Sequence, residues 1–261
     1  MIPFPNISPE IINIGPFAVR WYGMMYLLGF LASYLLIKAQ IKKKGLAFGA
    51  EFVESLFSYL ILGLILGARL GYVVFYNPTY YVSHPIEIFA VWQGGMSFHG
   101  GLIGVIVAGL LFSRKTFSDF WILSDLIVAT APIGIGLGRL GNFINAELYG
   151  RITDVPWAVL FPSGGPLPRH PSQLYELFLE GILLFVIMWF LKNKNFSNGV
   201  ISGLFLIFYG VFRFIVEFFR EPDAQVGFIL GFLTMGQVLC AVMIAAGLVI
   251  IRLRMQKNIR N

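Results

Sequence analysis

Apolar residues gather in seven long stretches, at about 17–37, 52–76, 95–113, 120–138, 174–191, 199–219 and 228–251, separated by short polar segments. A helix needs roughly 20 apolar residues to cross a hydrocarbon core of about 30 Å, and these stretches have that length. The pattern predicts an all-α fold: a polytopic transmembrane helical bundle of about seven spans, with residues 1–261 forming a single integral membrane domain. Small residues recur at i,i+4 in Gly63/Gly67/Gly71, Gly100/Gly104, Gly134/Gly138 and Gly227/Gly231, a spacing that lets helices pack closely in lipid.

Charge adds sidedness. Lys38, Lys42, Lys43 and Lys44 follow the first stretch, and Arg114 and Lys115 the third. Lys192 and Lys194 follow the fifth, and Arg252, Arg254, Lys257 and Arg260 come after the last. Twelve of the nineteen basic residues thus fall on one side, which the positive-inside rule makes cytoplasmic, so the N-terminus is expected outside and the C-terminus inside. No basic residue precedes Arg20, so a cleaved leader is not expected and the first span should remain.

Composition agrees with a membrane chain: 57% of residues are hydrophobic and 12% charged, against roughly 25% charged in soluble domains. The net charge of +6 is explained by the cytoplasmic lysines and arginines, so no nucleic-acid partner is expected. One cysteine, Cys240, excludes an internal disulfide and reads as inert packing. His84, His99 and His170 are too scattered for a zinc site, and neither metal nor cofactor is expected.

The other basic residues, Arg20, Arg69, Arg139, Arg151, Arg169, Arg213 and Arg220, lie in spans or outer segments, where charge is expensive and usually faces a cavity or a partner. With this topology they fall at the outer ends of their spans, as do Tyr22, His99, Asn142, Gln173, Glu176 and Glu217. A site within the outer leaflet is the simplest account. Arg213 and Glu217, spaced i,i+4 with Arg220 one turn on, read either as an internal ion pair or as fixed positive charge for an anionic ligand. In GIGLGRLGNFINAELYGR (134–151) the spacing of Gly136, Gly138 and Gly141 matches a dinucleotide fingerprint, but no strand precedes it. Glycine packing does not explain Arg139, Asn142, Asn145 and Glu147 crowded at a membrane boundary, which suggest a preorganised headgroup site. His99 reads either as a helix-to-helix hydrogen bond or as a general base, with His170 next in line; Tyr22 reads as a belt residue or a ligand contact.

Five stretches, RWYGMMYLLGF (20–30), GGMSFHGGLIG (94–104), GRLGNFINAELYGR (138–151), HPSQLYE (170–176) and RFIVEFFREPD (213–223), resemble the bacterial prolipoprotein diacylglyceryl transferase family, in order and over nearly the whole chain. The resemblance implies an inner-membrane transferase. Such an enzyme moves the diacylglyceryl group of phosphatidylglycerol to the lipobox cysteine thiol of a preprolipoprotein signal peptide, forming a thioether and releasing glycerol phosphate, the first step of bacterial lipoprotein maturation. The lipid bilayer is its medium, and its site faces the outer leaflet. By the same resemblance Tyr22, His99, Arg139, Asn142, Glu147, Gly150, Arg213 and Glu217 align with residues important in the family.

With the residue-level reading added, His99, Arg139 and Arg213 are expected to carry the chemistry. Tyr22, Asn142, Asn145, Glu147, Gly150, Glu176, Glu217 and Arg220 are expected to bind substrate. His170, Glu147 or the substrate phosphate could replace His99 as base. The competing class is a transporter for an anionic solute, disfavoured by the one-sided polar residues and the absence of a repeat. An intramembrane protease would need a nucleophile–base or Asp pair, and Asp125 stands alone in its span.

Overall fold

The computed structural model describes residues 2–14, 17–221, 228–229 and 233–259. Each apolar run carries a helix: α1 (Trp21–Lys44), α2 (Ala50–Phe75), then the short α3 (Pro78–Ser83), α4 (Phe98–Lys115), α5 (Phe120–Val128), α6 (Ala131–Ile144), α7 (Ser172–Leu191), α8 (Val200–Val216) and α9 (Met235–Ile259). Among the described residues five of them, α1, α2, α4, α7 and α9, are long and apolar enough to cross a membrane alone, and α5 with α6 makes a sixth if the bent pair is one span. With 17 residues α8 is shorter, about 25 Å at 1.5 Å per residue. Leu27, Leu31 and Leu35 on α1 and Leu62, Leu66, Leu70 and Val74 on α2 form exposed apolar stripes, which in a chain this hydrophobic are faces for lipid. The protein is a helical membrane protein.

Three differences from the hydropathy reading have local causes. Residues before α1 are strand, because Glu10–Ile14 (β2) pairs antiparallel with Phe17–Arg20 (β3), and Arg20 meets Glu10 at 3.7 Å instead of opening the helix. The run at 120–138 breaks by 43° after Val128 and resumes to Ile144; Pro132, at the start of α6, supplies no N–H and suits only a first turn. The last helix starts at Met235, preceded by a hairpin of Phe228–Ile229 with Leu233–Thr234. A parallel pair, Ile2–Pro3 (β1) with Val159–Leu160 (β4), completes the small amount of strand that an all-α expectation omits.

The chain forms two compact units, residues 1–36 with 125–261, and residues 37–124. In the second, α2 and α4 pack through facing glycines. A Cβ at Gly67 would lie 2.7 Å from Gly104 Cα, and one at Gly71 would lie 2.7 Å from Gly100 Cα. In the first, α6 packs on α7 where a Cβ at Gly136 would sit 2.9 Å from Gly181 Cα. Gly134 receives Gly29 of α1, Gly138 meets nothing, and Gly227 and Gly231 lie outside the described residues. Residues Leu177–Leu183 of α7 are π-helical, a local widening of the helix often found at functional sites. Asp125 is not solitary: its carboxylate accepts from Gly199 N (2.7 Å), Ser202 N (2.8 Å) and Ser202 Oγ (2.6 Å), capping α8 from a distant helix.

Candidate active site

Within the unit of residues 1–36 and 125–261, three helices and the segment after α8 converge their charged side chains. Glu176 and Glu180 of α7 are fully buried. Arg139 of α6 reaches Glu176 Oε2 with Nε at 3.2 Å and Glu180 Oε2 with Nη2 at 3.6 Å. From α8, Arg213 donates through Nη1 to Glu176 Oε1 at 3.1 Å, approaches Glu180 Oε1 at 4.0 Å, and meets Glu217 Oε2 at 2.7 Å. Arg220 adds a second donor to Glu176 Oε1 at 3.2 Å. Glu217 also accepts from Thr234 Oγ1 at 2.9 Å and lies against Gly236, where no side chain intervenes. The result is three guanidiniums and three carboxylates, paired as buried charges must be. The arginine side chains keep 20, 14 and 15% exposure while Glu176 and Glu180 keep none, so the cluster presents guanidinium, not carboxylate, at its accessible edge.

A second group adjoins the end of α6. Asn142 Nδ2 and Asn145 Nδ2 both donate to Glu147 Oε1, at 2.8 and 3.2 Å, and Gln173 Nε2 donates to the Glu147 carbonyl at 2.7 Å. The chain there passes through Ala146 and Leu148 with φ of 53° and 58°, left-handed conformations that non-glycine residues hold only when the surroundings fix them. Tyr22 of α1 covers Gly141, which leaves no room for a Cβ (2.9 Å to Tyr22 Cδ2), and its hydroxyl meets that of Tyr26 at 3.1 Å.

Gly150 has a packing role. A Cβ there would collide with the Phe219 carbonyl and fall 2.8 Å from His170 Cβ. The close approach lets Gly150 N donate to His170 O (2.8 Å) and Arg151 N to Phe219 O (2.9 Å). Arg151 Nε then holds the Arg220 carbonyl at 2.9 Å. This segment therefore fixes the turn that carries Glu217 and Arg220. His170 sits beside it, its Nδ1 3.1 Å from Tyr175 Oη, which accepts from Trp157 Nε1 at 2.7 Å. Burial lowers the His170 pKa below its ordinary 6.5, so the ring is neutral at pH 7.

Of the residues singled out from sequence, Arg139, Glu176, Arg213, Glu217 and Arg220 meet in the charged cluster, and Asn142, Asn145 and Glu147 meet in the amide cluster. Gly150 braces the first group from outside, and Tyr22 covers the helix that bears Arg139. His99 belongs to the other unit, at the exposed first turn of α4, where Ser97 caps the helix by accepting from Gly100 N at 3.2 Å and the imidazole meets the Phe98 ring edge-on. Two participants went unnoticed in the sequence. Glu180 touches both Arg139 and Arg213, and Tyr209 of α8 interacts electrostatically with Arg139. An acid inside the apolar run LYELFLEG (174–181) was the available signal for Glu180; Tyr209, among many aromatics, offered none.

A family profile described as Prolipoprotein diacylglyceryl transferase matches residues 9–253. The chain belongs to that family. It is similar to the phosphatidylglycerol–prolipoprotein diacylglyceryl transferases of Desulfotalea psychrophila, with 53% identity covering 94% of this chain and 92% of the relative, and of Geobacter sulfurreducens, with 53% identity covering 94% of each. That of Bordetella avium is 52% identical over 100% of this chain and 99% of its own. The five motifs are therefore those of an enzyme family, and the buried arginines need a catalytic reading beside the structural one.

Proposed function

We propose that this chain transfers the diacylglyceryl group of phosphatidylglycerol to the cysteine thiol of a prolipoprotein lipobox, as its relatives' names describe, within the bacterial inner membrane and on the outer-leaflet side, the N-terminus outside. The observation that carries this reading is the meeting of Arg139 and Arg213, from two different helices, on one buried carboxylate, Glu176. Two guanidiniums held side by side suit a phosphodiester, because each stays charged and offers paired N–H donors.

The thiolate sulfur attacks the glyceryl CH2 carbon, the C–O bond breaks, and its electron pair stays with the phosphate oxygen of the departing glycerol phosphate. Arg139 and Arg213 stabilise the charge gathering there, an effect of about 3–4 kcal/mol for a well-placed donor. Arg220 and Glu217 complete the cluster; Asn142, Asn145, Glu147 and Tyr22 position the headgroup, and Glu176 orients the arginines. His99 takes the thiol proton; a free thiol is mostly protonated at pH 7 and needs such help. His170 is the competing base, favoured by its neutral ring.

The test is transfer from phosphatidylglycerol to a lipobox peptide in detergent micelles, with Cys and Ser peptides compared. Thioether product with Cys alone, absent in Arg139→Ala and Arg213→Ala, is the expected result. Wild-type turnover in those variants would remove the clamp. Full activity in His99→Ala combined with loss in His170→Ala would reassign the base.

A further inference from the structure

The three carboxylates of the charged cluster are held very differently. Glu176 lies within 3.1 to 3.2 Å of all three arginines. Glu217 has Arg213 at 2.7 Å and the Thr234 hydroxyl at 2.9 Å. Glu180 is fully buried, its closest cations stand at 3.6 and 4.0 Å, and neither of its oxygens has a hydrogen-bond donor in line. It faces Arg139 from α6, Glu176 one turn earlier on its own helix, Arg213 and Tyr209 from α8, and Arg220 beyond it.

Three guanidiniums against three carboxylates leave the resting cluster balanced. A phosphodiester adds one negative charge to a place shielded from water, where unbalanced charge is penalised far more than in solution. The arginines that turn toward the phosphate also turn away from their weakest partner. We infer that Glu180 takes up one proton from solvent when the phosphodiester of phosphatidylglycerol enters the cluster. It returns that proton when the phosphate leaves.

The balance closes over a turnover. The lipid arrives with one negative charge, and Glu180 becomes a neutral acid. C–O cleavage leaves glycerol phosphate with two negative charges, and the Glu180 proton passes to it. The product departs singly charged while Glu180 regains its carboxylate and its arginines. The thiol proton goes separately to the base. Glu180 thus keeps the arginine pair from retaining its own product. This inference rests on the phosphatidylglycerol reading of the arginine pair.

The experiment is calorimetric binding of a short-chain phosphatidylglycerol, whose single charge does not titrate near neutral pH, to the full-length protein in detergent, in two buffers of different ionisation enthalpy and without peptide. Uptake of about one proton per lipid by the wild type at pH 7, and about none by Glu180→Gln, is expected from linkage. In transfer assays glycerol phosphate should inhibit Glu180→Gln about tenfold more strongly than wild type, since the neutral amide leaves the emptied cluster positive. Glu180→Asp should restore both behaviours. Lipid binding by the wild type without proton uptake, or equal uptake in Glu180→Gln, overturns the role given to Glu180 and leaves the clamp standing. No lipid binding by the wild type overturns the clamp itself. If Glu180→Gln does not fold, the wild-type proton count still decides.

Discussion

Arg69 and the trio Arg139, Arg213 and Arg220 all sit in or beside apolar helices, yet they are satisfied in opposite ways. Arg69, 4% exposed, donates to four backbone carbonyls: Ile88 (2.8 Å), Gly94 (2.7 Å), Gly95 (3.2 Å) and Glu87 (2.6 Å). A guanidinium with four of its five N–H groups on fixed carbonyls is a staple, here fastening the segment that leads to α4. The trio is paired with carboxylates, keeps partial exposure, and includes contacts as long as 4.0 Å. Side-chain partners can be exchanged for an incoming anion; backbone carbonyls cannot. Intramembrane arginine alone therefore does not mark a site, and the identity of its partners does.

The largest effect should come from removing a member of the trio. Arg213→Ala should reduce transfer by about a hundredfold or more and destabilise the fold by about 3–5 kcal/mol, because Glu176 and Glu217 are left buried with less counter-charge. Adding Glu217→Gln to that variant should recover part of the stability, read by thermal unfolding, and none of the activity. If activity returned with stability, the trio would be a staple as well.

Arg69→Lys comes next. A single ammonium cannot span four carbonyls held in fork geometry, so loss of two or more charged hydrogen bonds should cost about 2–4 kcal/mol. Transfer per folded molecule should fall far less than in Arg213→Ala. Equal losses in both variants would erase the distinction. Gly136→Val sharpens it further: a side chain there pushes α6 off Gly181 of α7, an overpacking of about 1–3 kcal/mol that should weaken transfer through Arg139. Gly67→Val, between α2 and α4, should lower the unfolding temperature without changing phosphatidylglycerol affinity.

The smallest effect is the pH dependence from His170. Its folded pKa lies below the ordinary 6.5, so above that value its contribution to stability is fully present, and it is lost as pH falls from about 6.5 toward the depressed folded value. His170→Gln should flatten the decline in unfolding temperature on that acid side. An unchanged decline would assign it elsewhere.

The helices and the crowding of polar residues at 134–151 were legible because hydropathy period and polar density are local properties. What the sequence withheld was pairing across the fold. Glu176 and Glu180 are separated from Arg213 by more than thirty positions, and only the packing of α6 and α8 on α7 brings them together. For the same reason the bracing of Arg220 beside Gly150, through Arg151 Nε on the Arg220 carbonyl and Arg151 N on the Phe219 carbonyl, is visible only in the fold. The strand at 17–20 hid inside an apolar run because hairpin pairing with Glu10–Ile14, not hydropathy, decides those residues.

The central claim is that the carboxylate-paired arginines are the exchangeable ones. Equilibrium binding of phosphatidylglycerol in nanodiscs to folded wild type, Arg213→Ala and Arg69→Lys tests it most directly. Affinity should be lost in Arg213→Ala and kept in Arg69→Lys. Unchanged affinity in Arg213→Ala would contradict the account.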